Sequence, residues 1–435
     1  MKRVAFYTLG CKVNRYETEA MEELFSNRGY EIVDMDEGAD IYVINTCTVT
    51  NLSDRKSRQV MRRAKRSNED SIVAVVGCYS QVAPKEVESI DGVDIIIGTT
   101  HRDRIVDLCE EVMDERQSIN IVGDLKGYRD FEDLHIDDME SQTRAYMKIQ
   151  DGCNQYCSYC IIPYARGSIR SRPLKDIVEE SKRLALAGFK EIVLTGIHVA
   201  SYGKDFKDID LLTVIDEVCK VEGIERIRLS SMEPRMIDEA FMEKVMANGK
   251  LCDHFHLSLQ SGSDDVLARM NRRYTSDEFR DIAKLIRRYM PDAGITTDII
   301  VGFPGETEEQ FEESCRLVRD IGFSRIHVFK YSPRRGTPAS EFGDHIHGDV
   351  KNRRSEKLIA LGQEMSRNFM QRYIGATVEV LFEEESRDDS RYMEGYTTNY
   401  IRVRADGRSD ISGSILPVEI IGIEKNILLG KIEEF

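Results

Sequence analysis

Short apolar runs alternate with longer stretches of mixed polarity from residue 1 to about 120. VAFYTLG, IYVINT, IVAVVG and VDIIIGT are rich in Val and Ile and lack the polar alternation of a half-exposed strand. Such runs predict parallel strands covered on both faces. Helical periodicity lies between them, as in NRYETEAMEELFSNRG, so residues 1–122 are expected to form an open parallel α/β domain. The stretch 123–143 is acidic and aperiodic and reads as a linker. Over 144–371 six strand-like segments, AYMKIQ, EIVLTG, RIRLSS, HFHLSLQ, ITTDIIVG and RIHVFKYS, alternate with helical ones. That count predicts a partial (β/α)6 barrel rather than the full eight units. Thr275-x-x-Glu278 and Thr307-x-x-Gln310 are capping-box signatures that place two helix starts. Over 372–435 the period drops to two, as in TVEVLFEEE and NYIRVRAD, which predicts a small C-terminal β-barrel.

Cysteine placement adds chemistry to this outline. Cys153, Cys157 and Cys160 form a Cys-x3-Cys-x2-Cys run just after AYMKIQ. Three thiolates at that spacing can hold an iron–sulfur cube by three corners, leaving one iron open. A structural zinc loop borrowing a distant ligand is the alternative. Cys11, Cys47 and Cys78 each follow a predicted strand of the first domain. In an open parallel sheet such positions share one edge, so the three can converge on a second metal centre; the plainer alternative is three buried core thiols. Cys109, Cys219 and Cys315, within helical patterns, and Cys252 read as packing residues.

The barrel strands end in residues suited to a small ligand. Thr195 and Gly196 follow the second strand, with His198 nearby. Ser230, Ser231 and Glu233 follow the third, and Gln260, Ser261 and Gly262 the fourth. The fifth carries Asp298 and then Gly302, Phe303, Pro304 and Gly305. Hydroxyl and amide side chains bond ribose or carboxylate groups, and glycine admits close backbone approach. Tyr156 and Tyr159, between the cysteines, are placed to shield a cluster from water.

A net charge of −16 argues against a strongly basic nucleic-acid binder but leaves room for local patches. Arg55, Lys56, Arg58, Arg62, Arg63, Lys65 and Arg66 form one such run; a solvated helix face is the competing reading. Arg166, Arg170 and Arg172 are expected to meet RNA phosphate or a substrate carboxylate, and Arg402 and Arg404 to share an outward strand face. No apolar run approaches the roughly 18 residues of a membrane span, and MKRVAFYTLG reads as a charged cap on a strand rather than a signal peptide, so a cytoplasmic protein is expected.

TLGCKVNRYET, INTCTVTN, VVGCYSQ and KIQDGCNQYCSYCIIPYARG, with HLSLQSGSDDVL, TDIIVGFPGET and YSPRRGTPAS, resemble the radical S-adenosylmethionine (SAM) methylthiotransferases. The resemblance spans nearly the whole chain and implies an N-terminal cluster domain, a radical SAM barrel and a C-terminal TRAM domain. It implies two 4Fe-4S clusters, an auxiliary one on Cys11, Cys47 and Cys78 and a SAM-cleaving one on Cys153, Cys157 and Cys160. It also implies SAM bound near Tyr159 and the strand ends, and the anticodon loop of tRNA as substrate. GCKVNRYET and LTGIHVASYG are most similar to the branch that methylthiolates C2 of N6-threonylcarbamoyladenosine (t6A) at position 37. In that chemistry one SAM methylates a stored sulfide and a second yields the 5′-deoxyadenosyl radical that removes hydrogen from C2. A flavodoxin or ferredoxin as electron donor and a separate sulfur donor are implied partners. The alternatives are the same chemistry on isopentenyladenosine-37 or a ribosomal-protein aspartate, and a non-catalytic zinc-containing RNA-binding protein.

Overall fold

The computed structural model describes residues 1–132, 134, 136, 143–407 and 409–433. The apolar runs of the first segment become β1 (Arg3–Thr8), β3 (Ile41–Thr46), β4 (Ile72–Gly77) and β5 (Ile95–Ile96) of one parallel sheet. Two short strands that the pattern did not announce, β2 (Glu31–Val33) and β6 (Ile119–Asn120), close its edges in the order β2-β1-β3-β4-β5-β6. Alternate residues of one strand serve opposite cores. Ile41 and Val43 pack with Met21 and Phe25 of helix α1 (Lys12–Asn27), whereas Tyr42 and Ile44 pack with Val60, Met61 and Ala64 of helix α2 (Asn51–Ser67). Burial on both faces is why these strands read as unbroken apolar runs.

The six strands expected in the middle of the chain form. They are β7 (Arg144–Asp151), β9 (Glu191–Gly196), β10 (Arg226–Leu229), β11 (His254–His256), β12 (Gly294–Val301) and β13 (Arg325–Lys330). A short β8 (Arg170–Ser171) runs antiparallel beside β7. β7, β9 and β10 pair in parallel, as do β11, β12 and β13, and single bridges from Ile227 to Leu251 and from Met232 to Leu257 join the two sets. Met147, Ile149, Ile192, Leu194, Ile227 and Ile295 pack in the large core with the surrounding helices. The alternate positions, among them Lys148, Gln150, Arg228, His254 and Thr296, are buried but polar, which gives the arch a hydrogen-bonding inner face. Both capping boxes are present, starting helices Ser276–Tyr289 and Glu308–Ile321.

Leu134 and Ile136 correct one expectation. They lie within the stretch read as a linker, yet both are buried in the barrel core, and the Leu134 carbonyl accepts from the Tyr16 hydroxyl. Their neighbours are so polar that periodicity hides them. Residues 133, 135 and 137–142 of that stretch lie outside the described residues.

A helix, Gly348–Gln371, leads to a closed barrel of β14 (Thr377–Glu385), β15 (Tyr392–Tyr396), β16 (Arg402–Asp406), β17 (Ile415–Glu424) and β18 (Ile427–Ile432). The barrel docks through Tyr400, whose ring stacks on His254 at 4.7 Å and lies beneath the Arg228 guanidinium at 4.8 Å. Arg228 also donates to the carbonyls of Thr397 and Thr398. Among the described residues no helix is long and apolar enough to cross a membrane.

Candidate functional site: two neighbouring cysteine trios

Each N-terminal cysteine stands where a strand of the first sheet gives way to a helix. Cys11 is the N-cap of α1, Cys47 follows β3 directly, and Cys78 opens the short helix α3 (Cys78–Val82). The loops touch. A methyl group placed on Gly10 would lie 2.8 Å from Cys47 Cβ and 3.0 Å from its Sγ, and one on Gly77 would lie 2.7 Å from the Thr46 carbonyl. Asn14 clips two of the loops together, donating to the carbonyls of Leu9 and Thr46 at 2.7 and 2.9 Å. The third is held by Arg166, whose Nε donates to Cys78 Sγ at 3.3 Å while Nη2 donates to Asn14 Oδ1 at 2.7 Å. Burial pushes the Cys78 thiol up to about 12 against the pull of Arg166, with Cys47 and Cys11 adding to the rise. Thiols so situated ionise only when a metal takes the charge.

The second trio sits on the loop after β7. Gly152, at φ +71°, turns the chain where any side chain would strike the Ser168 carbonyl. Cys153 N–H donates to the Gly167 carbonyl, Cys160 N–H to that of Cys157, and Ser158 Oγ to that of Arg269. Arg272 donates to Cys157 Sγ at 3.4 Å and pairs with Glu233 at 3.2 Å. Burial raises the Cys153 and Cys160 thiols to about 11 and 12, and Cys157 adds to both.

Residues beside Cys47 and Cys160 itself share one cavity. A cavity of 230 Å³ is lined by Val49 and Thr50, just past Cys47, and by Tyr159, Cys160 and Ile161, with Gln260 and Asp298 from the barrel. Arg334, three residues past Tyr331 of the cavity wall, bonds Thr48, Asn51 and Asp54 around the start of α2. Asp298 lies 3.2 Å from His256, and His327 completes a group whose ligand atoms all fall within 4.8 Å of one another.

The strand-end residues separate into two sets. Tyr159, Gln260 and Asp298 line the cavity. Thr195 and Ser230 are buried at neighbouring strand ends, and Ser230 Oγ has no hydrogen-bond partner among the described residues. Glu233 lies 3.5 Å from His198. Ser231 points to solvent. Gly196 packs its Cα against Gln150. The rest do structural work. Ser261 and Gly262 meet Ser314 Oγ, and the Gly302 amide bonds Glu306. Phe303 packs between Tyr331 and Phe342, and the Pro304 carbonyl accepts from Arg269. Tyr156 does not shield the trio: its ring is half exposed and edge-on to Tyr164, and its carbonyl accepts from Asn271.

Burial overturns the reading of three arginines. Arg166, Arg170 and Arg172 are at most 2 % exposed, so none reaches a phosphate on the surface. Arg166 and Arg170 pair with Asp151, Arg166 with Glu17 as well, and Arg172 with Glu180. Arg402 and Arg404 share a face as expected, but both close on the buried Glu394. On α2, Arg55, Lys56 and Arg62 are exposed, Arg63 pairs with Asp36, and Arg58 donates to the Tyr79 hydroxyl. Asn14, Glu17, Arg272 and Arg334 were not singled out from the sequence. Only the closeness of Asn14 and Glu17 to Cys11 hinted at them.

Residues 147–318 match the radical SAM superfamily and residues 3–98 an uncharacterized protein family, UPF0004. The chain is 44 % identical over 425 residues to the threonylcarbamoyladenosine tRNA methylthiotransferase MtaB of Bacillus subtilis, covering 97 % of this chain and 94 % of that one. It is 38 % identical to the tRNA-2-methylthio-N(6)-dimethylallyladenosine synthase of Oceanobacillus iheyensis, covering 96 % and 82 %. Its fold resembles that of the radical SAM methyltransferase TsrM of Kitasatospora setae, with a TM-score of 0.60 at 15 % identity over 78 % and 77 % of the two chains.

Proposed function

The chain belongs to the tRNA methylthiotransferase family of radical SAM enzymes, and we propose that it methylthiolates C2 of t6A at position 37 of tRNA. The observation that carries the reading is the closeness of the two trios: Arg166, from the helix that follows Cys160, bonds Cys78 Sγ, and one cavity is lined by Cys160 and by Val49 and Thr50 just past Cys47. Such a placement lets a carbon radical made at one trio meet sulfur held at the other without leaving the protein.

The donor sets suit the groups this chemistry requires. Cys11, Cys47 and Cys78 would hold an auxiliary 4Fe-4S cluster, and Cys153, Cys157 and Cys160 the one that binds SAM. Thiolates at three corners leave one iron free in each. When bound, SAM and the clusters would supply a 5′-deoxyadenosyl radical and a methylthio group. The unpartnered Ser230 hydroxyl, with Gln260 and Asp298 in the cavity wall, offers polar contacts for a ribose or an amino acid moiety. Tyr159 and Ile161 exclude water beside the second trio, and Arg272 fixes Cys157 in place. A radical route fits the substrate, because adenine C2–H has no acidity for a side-chain base to use.

An anticodon-loop base can be splayed into such a cavity at lower cost than a paired one. The exposed Arg55, Lys56 and Arg62 of α2, the helix that starts at the cavity wall, would meet the loop phosphates. We place the enzyme in the cytoplasm, with a flavodoxin or ferredoxin as reductant and a separate sulfur source.

The test is anaerobic reconstitution with iron, sulfide, SAM, reductant and a t6A-containing anticodon stem-loop. Mass spectrometry should show gain of a methylthio group on t6A. Product only on an isopentenyladenosine stem-loop moves the chain to the other tRNA branch. Zinc without acid-labile sulfide in the purified protein refutes the enzyme reading.

A further inference from the structure

Arg166 belongs to a buried ionic network whose charges do not cancel. Arg102, Lys148, Arg166 and Arg170 face the carboxylates of Glu17, Asp151 and Glu132. Four cations against three anions leave one positive charge over among the described residues. Exposure at these sites is 2 % or less except at Glu132, whose side chain is 7 % exposed. A buried charge in excess of its described partners is costly, and an anion at the group that Arg166 touches would offset it. That group is Cys78 Sγ, 3.3 Å from Arg166 Nε. The other trio differs. Arg272 reaches Cys157 in a similar way, but it is matched by the Glu233 carboxylate, which also lies 3.5 Å from His198.

Closing a C–S bond between a carbon radical at C2 and a closed-shell methylthiolate brings three electrons to a two-electron bond. The hydrogen from C2 has already left with the deoxyadenosyl carbon. One electron must therefore pass to an acceptor, and the group held by Cys11, Cys47 and Cys78 adjoins the new bond. We propose that Arg166 is a positioning residue that makes this group the acceptor, its charge against the Cys78 thiolate stabilising the reduced cluster and raising its potential above that of the cluster at Cys153, Cys157 and Cys160. This rests on the assignment of a cluster to each trio. The arginine comes from the short helix Ile162–Arg166 that begins just after Cys160, so one loop serves both centres.

The test uses the full-length chain carrying Cys153→Ala, Cys157→Ala and Cys160→Ala, which isolates the N-terminal trio. About four irons per chain in this background check the cluster assignment. An electron paramagnetic resonance redox titration then reads the potential. Arg166→Gln should lower it by at least 59 mV, a tenfold change in a one-electron equilibrium, and Arg166→Lys should recover part of the loss. Glu132→Gln removes a carboxylate from the far end of the same network and should raise the potential. Opposite signs distinguish a charge effect from loosened packing, which would move both variants the same way. Shifts of the same sign, or no shift in Glu132→Gln where Arg166→Gln fails to hold iron, overturn the proposal. Absence of iron in the parent background overturns the cluster assignment and the proposal with it.

Discussion

Gly10→Ala isolates the closeness of the Cys11 and Cys47 loops. Gly10 sits at φ +114°, outside the regions open to L-residues, so any side chain there costs about 1–3 kcal/mol in backbone strain. The added methyl would also lie 2.8 Å from Cys47 Cβ and 3.0 Å from Cys47 Sγ, where carbon contacts settle at about 3.5–4.0 Å. Relief requires Cys47 to move by roughly 0.5–1 Å, several times the tolerance of about 0.2 Å in a ligand distance. Iron and acid-labile sulfide should fall from about eight to about four per chain after reconstitution. Deoxyadenosine formation from SAM should persist, because the second trio is untouched, while methylthiolated product disappears. Gly29→Ala is the control. Its φ is +85° but nothing lies within 4 Å, so it carries strain without a clash and should keep its full iron. A Gly10→Ala enzyme with all its iron and normal product would refute the convergence of these loops on one cluster.

Glu22 lines a surface cleft with Cys11, and burial followed by the neighbouring Glu19 raises its carboxyl to about 7. A carboxyl with its folded pKa above the unfolded one makes folding less favourable as pH climbs from about 4.5 to 7, and the loss persists above that. Glu22→Gln should therefore leave the urea midpoint unchanged near pH 4 and raise stability at pH 8 by at most about 3 kcal/mol. A gain at pH 4 equal to that at pH 8 would contradict the assignment. Tyr400→Ala removes the ring between His254, Arg144 and Arg228. Docking of the C-terminal barrel should weaken by about 3 kcal/mol, seen as faster proteolytic cleavage near residues 371–377 with the central fold intact.

The longer strands of the first two regions, and β14 and β16 of the third, were legible because a strand buried on two faces, on one face, or in a small barrel leaves a distinct local period, whereas the short strands β2 and β6 leave none. The same periodicity placed Cys11, Cys47 and Cys78 at strand ends, and the Cys-x3-Cys-x2-Cys spacing marked the other three. Leu134 and Ile136 escaped because two apolar residues in an acidic stretch make no period. The chain was also silent on its arginines. Arg55 and Arg166 look alike in one dimension, yet the first is exposed on α2 and the second is sealed against a thiol.

Local order of residues therefore determined the elements, their sequence along the chain and the two candidate trios of thiols. Tertiary structure alone decided which charges are buried, because the Glu17 carboxylate that pairs with Arg166 stands 149 residues away on α1 and the partner of Arg172 on the helix Leu174–Leu186. Ion pairing depends on distance in space. A cation close in sequence to a cluster loop can be drawn to a phosphate outside or to a thiolate within, and only the packing of α1 against the barrel chooses between them.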